Sequence, residues 1–179
     1  MIRSIFKILR NYYHIFTKSG VEYARSLGVN VGENCRILTS TFGSEPWLIT
    51  IGNKVTITAG VRLLTHDGAT WLCEDEKGRR HLYRKIQIGN NVFIGSNAIL
   101  MPGVNVEDNV IIAAGSVVTK SIPSGVIVGG NPAKIIGDYH KYKTRALNEF
   151  VSDADIDFKK GKKTYSNEAL DTSFKDYLK

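Results

Sequence analysis

Four histidines occur in the chain, His14, His66, His81 and His140. One stands where a proton transfer could be organised. His66 closes the run Leu63-Leu64-Thr65-His66-Asp67-Gly68, where a regular pattern gives way to a charged, irregular stretch. An imidazole titrates near neutral pH, so a histidine at a rigid strand end under a loop is suited to take a proton from a hydroxyl. The bland alternative is a loop-mouth histidine that only hydrogen-bonds. Neighbouring side chains on a strand point oppositely, so Asp67 need not touch the same ring. It reads as a surface carboxylate, as a group that binds hydroxyls, or as one swung toward the imidazole by a corner. His81 lies mid-loop beside Arg79 and Arg80, poorly placed as a base but suited to an electrostatic role with a substrate. His14 and His140 fall in helical patterns and read as packing or surface.

The elements that must position His66 carry a six-residue beat. Rungs begin at Ile88, Ile94, Leu100, Val106, Ile112 and Val118, and earlier at Val31, Ile51, Ile57 and Leu63. The first residue of each is aliphatic, the fifth is mostly small or aliphatic, and Asn and Gly cluster between them. Neither a helical period nor simple alternation gives this spacing. Three such rungs close one triangular turn of a parallel β-solenoid, with turns stacked about 4.8 Å apart. The aliphatic first positions form inward ladders, and Gly and Asn serve the corners. Ser124 falls where the next aliphatic rung is due, so the prism is expected to end there. Cys35 reads as an inward filler and Cys73 as a loop residue. The beat slips by two residues between Val31 and Ile51, across TSTFGSEPW, which should bulge at a corner. Glu45 sits in that bulge and could orient a histidine one coil above, although a solvated carboxylate is the ordinary reading. Phe42 and Trp47 could line an acceptor site or a subunit contact. Residues 68–85 form an excursion that leaves the prism, and such loops on rigid scaffolds often carry specificity.

The repeat, together with GSVVTKSIPSGVIVGGNPAKII from Gly115 to Ile136 and the Pro102-Gly103 corner, resembles the hexapeptide-repeat acyltransferases that use acetyl-coenzyme A. Within them the chain is similar to sugar O-acetyltransferases of surface-polysaccharide synthesis. The resemblance covers roughly residues 29–136 and implies an all-β, left-handed parallel β-helix. The sequence divides into three segments: an amphipathic N-terminal helix over residues 1–28, the β-helix that the resemblance implies over 29–136, and a C-terminal helix and peripheral tail over 137–179. The resemblance also implies acetyl transfer from acetyl-CoA to a sugar hydroxyl, with His66 as base and Asp67 and Glu45 as secondary candidates. The tetrahedral oxyanion needs a donor, for which the Gly95 and Ser96 amides are candidates. Coenzyme A would lie along the later coils, past Gly95, Ala113 and Ala114, with Lys120 and Lys134 near its phosphates and Pro132 at its edge. Packing and ordinary solvation are the alternatives for the alanines and lysines. The implied assembly is a homotrimer with the excursion folded over a neighbour's site. No metal is called for.

Composition is compatible with these expectations. There are 179 residues, 42% hydrophobic, with a net charge of +7, much of it at the two ends. Such charge suits the phosphates of coenzyme A or an anionic membrane surface, and no nucleic-acid module is visible. The stripe Ile2, Ile5, Phe6, Leu9, Tyr12, Tyr13, Phe16 suggests a helix to about Leu27 that caps the solenoid or touches a membrane face. Arg3, Lys7 and Arg10 interrupt it, so it reads as neither signal peptide nor span, and a cytoplasmic enzyme is expected. Two cysteines give no disulfide framework. Other readings are an antibiotic O-acetyltransferase, a non-enzymatic scaffold, or a γ-carbonic-anhydrase-like enzyme, which would need three zinc-binding histidines.

Overall fold

The computed structural model describes residues 19–175. The expected apolar stripe and His14 lie outside the described residues. The chain divides into two compact units, Met1–His140 and Lys141–Lys179.

In the first unit the beat appears in the backbone as a corner. The fourth residue of successive rungs is left-handed: Asn34, Lys54, Gly60, Asn91, Asn97, Gly103, Asn109 and Gly115 all have φ between 53° and 88°. An L-residue pays for this conformation through its Cβ, whereas Gly has none and Asn tolerates it. Lys54 alone in this set has neither advantage.

Flat strands of two to five residues run between corners and stack as three sheets. The first holds β1 (Asn30–Val31), β3 (Ile49–Ile51), β8 (Ile86–Ile88) and β11 (Asn105–Val106), all parallel. The second holds β2 (Arg36–Ile37), β4 (Thr56–Ile57), β9 (Phe93–Ile94), β12 (Ile111–Ile112), β14 (Val126–Gly129) and β15 (Lys134–Asp138). The third holds β5 (Arg62–Leu63), β10 (Ile99–Leu100) and β13 (Val117–Val118). The chain visits the faces in turn, so it winds as a triangular coil. The register places like on like: Ile51 on Ile88 on Val106, Ile57 on Ile94 on Ile112, and Leu63 on Leu100 on Val118. These first positions are buried, as are the fifth-position residues Val55, Val61, Val92, Ala98, Val104, Val110 and Ser116. Together they form the core.

One corner is stitched by side chains. Asn53 Oδ1 accepts the Glu33 amide at 2.8 Å, Asn90 Oδ1 the Asn53 amide at 2.8 Å, and Asp108 Oδ1 the Asn90 amide at 2.6 Å. This ladder needs the close approach that Gly89 permits, because a Cβ there would sit 2.3 Å from Asp108 Oδ1.

Three expectations are corrected. The ladder does not end at Ser124: Ile122, two residues earlier, pairs with Val106 and is 4% exposed. Ser124 instead stays at the corner, donating its hydroxyl to the Asp108 carbonyl at 2.7 Å. The shortened turn carries Val128 onto Ile112, and the chain then reverses into β15, antiparallel to β14. A helix unbroken to Leu27 is also excluded. Ser19 is extended and caps a fresh helix, α1 (Gly20–Leu27), through a reciprocal Ser19–Glu22 capping box, and left-handed Gly28 closes it. Finally, Cys35 is only half-buried, its thiol donating to the Gly52 carbonyl at 3.1 Å.

The second unit contains most of α2 (Tyr139–Glu149) and all of α3 (Lys162–Glu168). The tail that reads as peripheral from sequence thus holds an ordered helix, with Phe158 packed edge-on to Tyr165 at 5.1 Å and Lys160 paired with Glu168 at 2.9 Å.

Two substitutions test this account by denaturant unfolding. Lys54→Asn should stabilise the protein by roughly 0.5–1 kcal/mol by relieving left-handed strain. Ile94→Ala, at a fully buried ladder position, should cost about 2–5 kcal/mol.

Candidate active site

The bulge in the first coil brings Glu45 to His66. After β2 the chain is pinned by the Thr39 hydroxyl, which donates to the Val61 carbonyl at 2.9 Å, and by buried Phe42. Gly43, left-handed, passes close to the Leu63 carbonyl. Glu45 follows, at the head of a 3-10 turn (Pro46–Leu48). Its side chain is 14% exposed. Glu45 Oε2 accepts the Thr65 hydroxyl at 2.7 Å and lies 2.9 Å from His66 Nδ1.

This geometry fixes the imidazole. Burial pushes the Glu45 carboxyl up, but hydrogen bonds from Thr65 and His66 and the attraction of the His66 ring outweigh it. The group is held below its ordinary range and stays a carboxylate. A carboxylate only accepts, so the proton of a neutral ring sits on Nδ1 and the Nε2 lone pair is left open.

The excursion walls this site. It leaves through a 3-10 turn (Gly68–Leu72), makes the antiparallel hairpin of β6 (Glu74–Asp75) and β7 (Gly78–Arg79), and returns beside the strand end. His66 bridges to Tyr83, the Asp67 amide donates to the Leu82 carbonyl at 3.1 Å, and the Arg84 amide to the Thr65 carbonyl at 2.8 Å. Asp67 Oδ1 accepts the Ala69 amide at 2.9 Å. It caps the turn, and its hydrogen-bonding partner is this backbone rather than the imidazole. A cavity of about 220 Å³ remains, lined in part by Glu45, His66, Asp67, Arg79, His81 and Tyr83. Tyr83 stacks on His81, with ring centroids 5.9 Å apart, and tilts against His66 at 6.2 Å. Tyr83 has no sequence signal, since its place follows only from how the excursion returns.

The coenzyme candidates split. Thr58, Gly95, Ala113 and Gly129 each follow an inward residue of the second sheet and form a column. A Cβ at position 95 would sit 2.4 Å from the Ala114 nitrogen, and one at 129 would sit 3.3 Å from Ala113 Cβ. Lys134 pairs with Gly129 across β14 and β15, so it shares this edge. Lys120 is exposed beyond β13 on the third sheet, and Pro132 lies in the turn before β15. The Gly95 amide is already used, donating to the Ile112 carbonyl at 2.8 Å, which removes it as an oxyanion donor. The Ser96 hydroxyl donates to Thr58 Oγ1 at 3.2 Å.

A larger cavity of about 650 Å³ lies between α1 and the bulge, with Tyr23, Phe42 and Trp47 in its wall and Ser44 shared with the His66 cavity. Phe42 is buried at its base, and Trp47 is 65% exposed on its rim. Among the described residues no helix is long and apolar enough to cross a membrane.

Residues 85–120 match the hexapeptide repeat of succinyl-transferase. Protein CapG of Staphylococcus aureus is 49% identical over 126 residues, 69% of this chain and 73% of that protein. The galactoside O-acetyltransferase of Escherichia coli (strain K12) is 33% identical over 116 residues, 65% of this chain and 57% of that enzyme. Among solved structures, a galactoside acetyltransferase in complex with coenzyme A superposes with a TM-score of 0.54 at 27% identity, covering 81% of this chain and 85% of that one. A Vibrio cholerae hexapeptide-repeat acetyltransferase complexed with acetyl-coenzyme A gives 0.54 at 26% identity, covering 63% and 61%. The chain belongs to the hexapeptide-repeat acetyltransferases.

The depressed Glu45 ionisation has a pH signature. Its folded-state pKa lies below the unfolded one, so its contribution is full above the unfolded value and is lost as pH falls through the folded value. The stability gap between wild type and Glu45→Gln, followed by urea unfolding, should be widest near neutrality and should narrow below about pH 4. A gap that grows toward acid would contradict this.

Proposed function

We propose that the protein transfers the acetyl group of acetyl-coenzyme A to a sugar hydroxyl during surface-polysaccharide synthesis, with His66 as general base. The observation that carries this reading is the Thr65–Glu45–His66 chain, with Oε2 at 2.7 and 2.9 Å from its two partners. It leaves Nε2 open toward a cavity and keeps a negative charge behind the ring. His66 Nε2 takes the hydroxyl proton as the sugar oxygen bonds to the thioester carbonyl carbon, and Glu45 stabilises the imidazolium that forms. When the carbon–sulfur bond breaks, the imidazolium returns the proton to the departing sulfur. Glu45 is a positioning residue. Asp67 shapes the turn above the cavity.

Acetyl-coenzyme A is the donor, as supported by the likeness to acetyltransferases solved with coenzyme A and acetyl-coenzyme A. The Gly95–Ala113–Gly129 column gives a flat edge for a pantetheine arm, with Ala114 and Lys134 alongside and Lys120 and Pro132 at its margin. The likeness to galactoside acetyltransferases supports a saccharide acceptor. The coil is left-handed, and the assembly is a cytoplasmic trimer in which three equivalent clefts form between prisms. Exposed Ile135 and Ile136 on β15 supply apolar surface for such contacts.

Acetyl-coenzyme A turnover against a panel of sugars, glycans and antibiotics tests the proposal. His66→Ala should lower kcat by about 10²–10⁴-fold with little change in KM for acetyl-coenzyme A. Glu45→Gln should lower kcat less and alter its pH profile. Full activity of His66→Ala would remove the assignment of the base, and preference for antibiotics would remove the sugar.

A further inference from the structure

The wall of the His66 cavity holds one charge that the proposed chemistry does not use. Arg79, at the end of β7, is half-buried and lines the cavity. Its Nε is fully buried and has no hydrogen-bond partner, the one such side-chain atom among the described residues. The guanidinium lies 4.6 Å from the centroid of the Trp71 ring, which covers one face and fixes its plane. Its neighbour Arg80 differs: it is paired with Asp75 and also donates to the Gly78 carbonyl. The hairpin thus neutralises one arginine within itself and leaves the other, which lines the cavity, without an ion pair among the described residues.

The other charged groups on this wall are engaged elsewhere. Glu45 takes the Thr65 and His66 hydrogen bonds. Asp67 Oδ1 takes the Ala69 amide. His81 is stacked with Tyr83, whose hydroxyl lies 3.4 Å from its Nδ1. Because Nε is closed to solvent, a ligand in the cavity meets the terminal Nη groups, and the partner that best suits that planar fork is an oxyanion held by two parallel hydrogen bonds.

We infer that Arg79 is a specificity-determining residue that holds an oxyanion of the acceptor, a ring carboxylate or an attached phosphate, beside the hydroxyl that His66 deprotonates. The acceptor is therefore an acidic sugar. This rests on the sugar-acetylation reading and narrows it. The charge on Arg79 selects the substrate by binding, while His66 performs the proton transfer. Trp71 sets the orientation of the guanidinium.

Initial rates with matched acceptors test the inference: a neutral methyl hexoside, the corresponding methyl hexuronide and the corresponding hexoside phosphate. Wild type should favour one of the charged acceptors over the neutral one by about 30-fold in kcat/KM, and which one identifies carboxylate or phosphate. In Arg79→Gln that ratio should collapse toward one through a raised KM for the charged acceptor. Arg79→Lys, which keeps the charge but loses the fork, should recover part of it. Thermal melting of both variants checks that they are folded. If Arg79→Gln lowers neutral and charged acceptors by the same factor, or raises KM for acetyl-coenzyme A instead, the inference is wrong. If wild type acetylates neutral and charged sugars alike, the inference fails and sugar acetylation stands. If it acetylates no sugar, both fail.

Discussion

A left-handed residue at the fourth position of eight of the rungs is the constraint from which the rest follows. It turns the chain at fixed intervals, so the strands between corners stay short and flat and the three faces stay straight. Straight faces let each aliphatic residue rest on its equivalent in the next coil, which buries a side chain that a single coil could not bury alone. The corner residues therefore determine which aliphatic side chains meet. Asn and Gly supply most of these corners, and the Glu33–Asn53–Asn90–Asp108 amide ladder then ties one edge together.

The proposed catalytic apparatus lies where the repeat is interrupted. The two extra residues between Val31 and Ile51 form the bulge that places Glu45 beside His66. The longer insertion after Asp67 then folds back through the His66–Tyr83 bridge and puts walls around the ring. The rigid coils hold the proposed base, and the irregular segments supply the carboxylate behind it and the surfaces before it. His66 is thus held at its ring by Glu45 and at its backbone by the bridge to Tyr83.

The coil was legible because its signals are local and repeated. Aliphatic first positions, small fifth positions and Asn or Gly corners can be read one rung at a time. His66 was legible because it ends a rung. Other features depend on distances that the chain order hides. The end of the prism was misplaced because Ser124 occupied the expected position while Ile122, two residues earlier, could fill the same interior space by tightening one turn. The Ser19 capping box was missed because the apolar stripe before it invited a longer helix. Gly95 looked available from its size, but its amide is consumed by the coil-to-coil ladder. Arg79 and Tyr83 enter the cavity only through the three-dimensional return of the excursion, and no spacing rule predicts it.

The reversal at β15 has a consequence beyond covering Val128. A stack of parallel strands offers the same unfilled edge after every turn, and nothing in the repeat itself limits growth. An incoming chain of the same kind would find a matching template there, which is the geometry of runaway self-association. By folding its own strand back in the opposite direction, with Pro132 and Gly137 breaking the rhythm, the protein covers the growing edge of its second sheet. Gly20 lies so close to the Ile37 carbonyl that a Cβ would overlap it, so α1 seals the first coil in the same way. The molecule keeps a finite length because both ends abandon the pattern that built its middle.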